Sequence, residues 1–284
     1  MKSTLVVAIA GLAASSALTW TAAAAAPPEP RIVFRTVRLS APRKPPELYS
    51  VLSSGRGRLL IARGAEQPAW SPGRKRIAYA SGLVGRQGLW VMNADGSRKR
   101  RLTTRPGDGE PTWSPDGRRL VFRRSSATSF DLWIVAAAGG RATPLLRTPI
   151  ANELEPDWSP DGQRIAFQSS RGGGIQIWVM SLASKQARRL TRGDASFSPD
   201  WAPDGLRIAF STGGRIAVVD TVRRRQRVLP SGSPRSADDP AWSPDGRRIA
   251  FQRGGQVLMM RAQDGGDRRY VTRAPWGTNG EPDW

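Results

Sequence analysis

The sequence predicts an all-β fold, a six-bladed β-propeller of four-stranded blades, on three observations. The pattern Pro-x-Trp-Ser-Pro-Asp-Gly-x-Arg-Ile-Ala-Phe recurs at Trp70, Trp113, Trp158, Trp201, Trp242 and Trp284, spaced 43, 45, 43, 41 and 42 residues apart. A period of this length marks one supersecondary unit stacked many times. Each unit divides into four short β-rich runs separated by turn signals, the make-up of a propeller blade. Finally, the sixth copy stops at Trp284, while a strand of the type that follows tryptophan elsewhere, Arg31-Ile32-Val33-Phe34, stands alone near the N-terminus. The two parts complete one blade, with Glu281–Trp284 innermost beside Arg31–Phe34, so the chain closes into a ring.

Taken in chain order, residues 1–26 read as a secretory signal peptide with approximate cleavage near Pro27. Lys2 gives the positive start, Leu5 to Leu12 the apolar stretch, and Ser15 to Ala26 ends in small residues with several Ala-x-Ala options. The interrupting Ser15, Ser16, Thr19 and Thr21 argue against a membrane-spanning helix. The mature protein is then expected to be soluble and extracytoplasmic, periplasmic or secreted. Residues 27–284 form the propeller: 258 residues, six units of 43, with no room for a second domain.

One repeat shows the logic of all. In Ser159-Pro160-Asp161-Gly162, Pro pre-sets the first central dihedral, Asp suits the second, and Gly takes the left-handed position that closes the hairpin. Arg164 to Gln168 is the second strand, Ile175 to Met180 the third, and Ala187 to Thr191 the fourth. The second strand recurs as Ile77-Ala78-Tyr79, Leu120-Val121-Phe122, Ile208-Ala209-Phe210 and Ile249-Ala250-Phe251. The third recurs around Trp90, Trp133, Ile216 and Val257, and the fourth around Leu102-Thr103 and Val271-Thr272. In one copy the turn is Ser71-Pro72-Gly73-Arg74, where Pro-Gly still bends the chain.

Composition excludes several function classes. There is no Cys and no His, so disulfides, thiolate metal sites and a Ser-His-Asp triad are ruled out. The net charge is +21, and only five of 44 basic residues are Lys. Arginines cluster at Arg98-Lys99-Arg100-Arg101, Arg188-Arg189, Arg223-Arg224-Arg225 and Arg268-Arg269, each at or just before the outermost strand of its blade. Charge there discourages edge-to-edge pairing; an anionic cell-wall polymer is the alternative partner. Nucleic acid is a poor partner for a secreted chain that lacks interleaved exposed aromatics.

The Trp-Ser-Pro-Asp-Gly-x-x-Ile-Ala-Phe pattern resembles the WD40-like repeats of the TolB propeller, the periplasmic component of the Tol–Pal envelope system. The resemblance covers residues 31–284 and is to the propeller part only, since TolB carries an N-terminal α/β domain before it. Similar repeats occur in secreted propellers and in propellers that cover the hydrolase domain of prolyl oligopeptidase-like enzymes; no hydrolase segment follows here. The resemblance implies that the connections leading into each innermost strand gather at the channel mouth.

Those connections, 64–68, 104–111, 148–156, 193–199, 230–240 and 274–282, hold nine acids against Arg105 and Arg235. The position three before tryptophan is Glu110, Glu155, Asp239 and Glu281 in four blades, and Gln67 and Ser198 in the others. These four carboxylates, expected to be exposed, are the candidate site for a protein or peptide partner. A ring of them also suits a hard cation such as Ca²⁺; the plain alternative is that loops are polar. Trp276, in Ala274-Pro275-Trp276-Gly277, lies outside the repeat and is a candidate anchor for a partner. No catalytic residue and no resident cofactor are expected. The sequence thus favours a non-catalytic, monomeric scaffold that binds a protein or peptide, in or near the cell envelope. A carboxylate-dependent glycan-active enzyme and an adhesin for anionic envelope polymers remain the alternatives.

Overall fold

A computed structural model describes residues 29–38, 44–230, 237–273 and 277–284. The signal-peptide segment, Trp276 and Arg235 lie outside the described residues. All regular structure among those described is β-strand, arranged as six four-stranded antiparallel sheets.

Blade 1 runs from Gly277–Asp283 inside, through Arg31–Arg38 and Glu47–Leu52, to Leu59–Arg63 outside. Blade 2 is Glu66–Trp70, Arg76–Ser81, Gly88–Asn93 and Arg100–Arg101; blade 3 is Asp108–Trp113, Arg119–Ser125, Phe130–Ala136 and Thr143–Leu146. Blade 4 is Glu153–Trp158, Arg164–Ser169, Gln176–Ser181 and Ala187–Arg189. Blade 5 is Ser196–Trp201, Arg207–Thr212, Arg215–Asp220 and Gln226–Val228, and blade 6 is Ala237–Trp242, Arg248–Arg253, Gln256–Arg261 and Arg269–Tyr270. The expected closure is present: Val33 pairs with Asp283 and Arg35 with Gly280. A buried bond from Thr36 Oγ1 to Asn279 Oδ1 (2.7 Å) fastens the same seam.

The Arg-Ile-Ala-Phe strand alternates one side chain into each of two inter-blade cores, so a blade has no dry face of its own and must stack. Phe122 and Leu120 of blade 3, with Trp113, pack on Ala78 and Leu89 of blade 2. Phe34 and Ile32 of blade 1, with Trp284, pack on Ala250, Val257 and Met259 of blade 6. All six repeat tryptophans are buried between blades, as the repeat predicts.

The outermost strands end slightly earlier than their sequence suggests. Leu102, Leu190 and Val271 are buried and already turn inward, and the threonine after each caps the third strand. Thr103 Oγ1 accepts from the Leu89 N–H (3.0 Å), Thr191 from Ile177 (2.9 Å) and Thr272 from Val257 (2.9 Å). The hydroxyl, not β propensity, places the Leu-Thr and Val-Thr pairs. Three arginine clusters fall on the turns and edges just before these caps, and Arg223–Arg225 on the matching turn of blade 5, where no threonine follows; all are largely exposed.

Candidate functional site: an acidic axial channel

The innermost strand of every blade carries a β-bulge at the same place. Pairing with the second strand slips between Glu66 and Ala69, Gly109 and Thr112, Leu154 and Asp157, Phe197 and Asp200, and Asp238 and Ala241, and at the equivalent point of blade 1. The cause is local. Pro68, Pro111, Pro156, Pro199, Pro240 and Pro282 have no N–H to give the ladder. The residue before each proline takes a left-handed conformation: Gln67, Glu110, Glu155, Ser198, Asp239 and Glu281 have φ between 48° and 52°. That backbone is costly for a side-chain-bearing residue, and more so before proline, so it persists only where neighbours hold it.

The neighbours are the same residues of adjacent blades. Glu155 N–H donates to Glu110 Oε2 (2.7 Å), Ser198 N–H to Glu155 Oε2 (2.7 Å), and Gln67 N–H to Glu281 Oε2 (2.7 Å). Glu110 N–H donates to Gln67 Oε1 (3.1 Å) and Glu281 N–H to Asp239 Oδ2 (3.4 Å). Serine is too short to reach backbone, and there its hydroxyl donates to Asp239 Oδ1 (3.1 Å). The hydrogen bonds run unbroken round the mouth.

A second tier lies two residues deeper. Asp157, Asp200 and Asp283 accept the N–H of the next blade's tryptophan: Trp201 (2.7 Å), Trp242 (2.6 Å) and Trp70 (2.5 Å). Thr112 Oγ1 also donates to Asp157 (3.1 Å). Together the tiers put seven carboxylates around a cavity of about 330 Å³, with the six prolines between them. Arg123 pairs with Glu110 at 3.1 Å and Arg35 with Glu281 at 3.2 Å.

The four sequence-predicted acids therefore do meet at the mouth, but they are not freely exposed. Glu110 and Glu281 keep only 18% and 25% of their side-chain surface. Water reaches them through the channel while protein surrounds them, so charge is poorly solvated. Burial pushes the Glu155 carboxyl up to about 8, helped by Glu110 and Asp239. Burial likewise raises Glu281 to about 7, and Asp239 and Asp283 to about 6. Glu110 is raised by burial although Arg123 opposes the change. Asp157 and Asp200 are both raised, chiefly by burial, and Asp200 further by the nearby Asp157.

Three other acids of the connections have separate roles. Asp108 forms a buried pair with Arg124 (2.7 Å), and Glu153 pairs with Arg171 (2.8 Å). Asp238 accepts from Ser211 (2.5 Å). Among the described residues no group of three or more acids is arranged to hold a metal ion. The deeper tier was missed because the acidic windows stopped one residue before it. Its signal was present as Pro156-Asp157-Trp158, Pro199-Asp200-Trp201 and Pro282-Asp283-Trp284.

Residues 67–284 match the family model of the TolB beta propeller domain. The chain belongs to that family. Among solved structures it is similar to TolB from Acinetobacter baumannii (22% identity, TM-score 0.77), over 89% of this chain and 66% of that one. It is also similar to a chain of the nidogen/laminin complex (8% identity, TM-score 0.75), over 89% of this chain and 98% of that one. A third similar structure is hydrazine synthase of Kuenenia stuttgartiensis (15% identity, TM-score 0.73), over 90% of this chain and 46% of that one. At these identities the likeness is one of fold. This chain thus spans less than two thirds of the A. baumannii protein. No curated protein matches it. No helix among the described residues is long and apolar enough to cross a membrane.

Proposed function

We propose that this TolB-family propeller is a non-catalytic extracytoplasmic scaffold whose channel mouth binds a cationic segment of a protein partner. The observation that carries the reading is the two-tier ring of carboxylates with raised proton affinity, held by strained backbone in a narrow cavity. A cavity of about 330 Å³ sits at the small end of the ~300–1,000 Å³ typical of ligand sites. It fits a side chain or chain end rather than a domain. A Lys or Arg entering it meets poorly solvated anions, where charge pairs are stronger than in bulk water. The signal-like N-terminus and the family support the compartment. Every carboxylate of the two tiers is tied to backbone, hydroxyl or arginine, which speaks against a free general acid and base.

The test is calorimetric titration of the full chain with a short Lys/Arg peptide and its Gln-substituted counterpart. Saturable binding of the cationic peptide alone is expected. It should strengthen from pH 5.5 to pH 8 as the carboxylates ionise, with proton release between, and weaken in Glu155→Gln and Asp157→Asn. Equal binding of both peptides, or no effect of either variant, would refute the reading.

A further inference from the structure

Three of the four mouth acids are glutamates, and one position on the second strand sets the charge beside each. The residue after the second-strand phenylalanine is Arg35 in blade 1, Arg123 in blade 3 and Gln168 in blade 4. Register aligns all three. Arg35 stands opposite Gly280, Arg123 opposite Gly109 and Gln168 opposite Leu154. Those partners are the residues just before Glu281, Glu110 and Glu155. Side chains at equal register leave a sheet on the same face, so each of the three is directed to the glutamate of its own blade.

In blades 1 and 3 the glutamate divides its two oxygens. Oε2 accepts an N–H of the next blade, from Gln67 at Glu281 and from Glu155 at Glu110 (2.7 Å each). Oε1 faces an arginine, with Arg35 Nε 3.2 Å from Glu281 and Arg123 Nε 3.1 Å from Glu110. These contacts are ion pairs rather than aligned hydrogen bonds. Blade 4 repeats only the first half. Glu155 Oε2 accepts the Ser198 N–H (2.7 Å), but among the described residues no arginine pairs with its carboxyl. The nearby charges, Glu110 and Asp239, share its sign. Gln168, in the arginine's place, is 6% exposed, and its Oε1 is buried with no donor. A buried acceptor left unmet is costly. Asp239 differs: its Oδ1 accepts from the Ser198 hydroxyl and its Oδ2 from the Glu281 N–H. Blade 4 is thus where a positive charge and a hydrogen-bond donor are both wanting.

We infer that the partner's cationic segment seats an arginine at blade 4, its guanidinium beside Glu155 and Gln168 where the chain's own Arg123 and Arg35 serve blades 3 and 1. The inference rests on the reading of the mouth as a site for a cationic segment, and adds which blade and which cation. A guanidinium carries five N–H donors on a rigid planar fork, so it can meet a carboxylate and an amide oxygen together. It is also more weakly hydrated than an ammonium. That suits a narrow cavity of about 330 Å³ walled in part by Pro156 and Pro199. A lysine ammonium gives up more hydration on entry and has no flat edge to span the two acceptors. Gln168 is then a specificity residue: arginine there would fill the seat from within, as in blades 1 and 3.

Calorimetric titration of the full chain with the capped peptide Gly-Gly-Arg-Gly-Gly, and with the same peptide carrying Lys in place of Arg, tests the idea. The arginine peptide is expected to bind about tenfold more tightly, the worth of one further hydrogen bond to a charged group. Gln168→Arg should abolish that binding while the melting temperature stays level or rises. Gln168→Met, which keeps the length and removes the acceptor, should weaken the arginine peptide about tenfold and the lysine peptide little. Should Gln168→Arg fail to fold by circular dichroism, the Met variant decides. Failure of both peptides to bind the parent would sink the mouth reading itself. Equal binding of the two peptides would leave that reading standing and overturn this inference. So would a preference for arginine that survives both Gln168 variants, since the guanidinium would then sit elsewhere in the ring.

Discussion

Replacing Glu155 by Gln should stabilise the protein above neutral pH and do little near pH 4. Glu155 has its carboxyl raised from the usual 4.5 to about 8. A group whose proton affinity rises on folding binds more protons in the folded state between those two values. Stability contributed by that group is therefore full below about pH 4.5 and is lost as pH rises towards 8. Each tenfold rise in proton affinity is worth ~1.4 kcal/mol, so the loss has a ceiling of ~5 kcal/mol. Water in the channel and relaxation of the ring cut this to roughly 2 kcal/mol. Gln keeps the carbonyl that receives the Ser198 N–H, as Gln67 already does for Glu110 at 3.1 Å. It carries no charge to desolvate. Urea unfolding of parent and variant, compared at pH 4, 6 and 8.5, isolates the effect, because the background of a chain with net charge +21 cancels in the difference. A variant less stable than the parent by the same amount at all three pH values would refute the reasoning. It would show that Glu155 is charged throughout and held by its bonds.

Three more outcomes follow from the same geometry. Deleting 281–284 removes the buried Trp284, the acceptors for Gln67 and Trp70, and the Asp283 end of the closing strand, which pairs with Val33. The melting temperature should drop by on the order of 10 °C or more, and an unchanged melting curve would contradict ring closure. Arg124→Leu strands the buried Asp108 carboxylate, paired now at 2.7 Å, and should cost ~3–5 kcal/mol in urea unfolding, whereas the double change with Asp108→Leu should recover much of it. Gly88→Ala places a Cβ 2.4 Å from the Thr103 carbonyl oxygen at a φ of 107°. It should lower stability by more than ~1 kcal/mol, and retention of the parent's melting temperature would show that the Thr103 cap yields freely.

The repeat made the blade order, the closure seam and the tryptophan cores legible, because each depends on period, apolar alternation and one turn signature. Charge at the mouth was only partly so. Glu110, Glu155, Asp239 and Glu281 could be aligned by their distance from tryptophan, but their hydrogen bonds run to a residue about one repeat away, a contact that no local pattern displays. Hence they looked like exposed loop acids. Asp157, Asp200 and Asp283 sit beside the tryptophan inside what reads as strand, so a contrast drawn between strands and connections left them out.

Two demands meet in the innermost strand, and the proline reconciles them. Adjacent blades need polar links near the axis, where the sheets converge and apolar packing thins. Proline two residues before tryptophan breaks the ladder and leaves the residue before it left-handed, so that its N–H turns sideways to the preceding blade. A Gln can answer that N–H, as Gln67 does for Glu110, so inter-blade linkage alone does not require a carboxylate at each position. Four of six mouth positions are acidic all the same, and burial opposes their ionisation. Linkage explains the bulge; it does not explain the charge. On the function proposed above, the excess of carboxylate over what the ring needs is the part of the site that a cationic partner would satisfy.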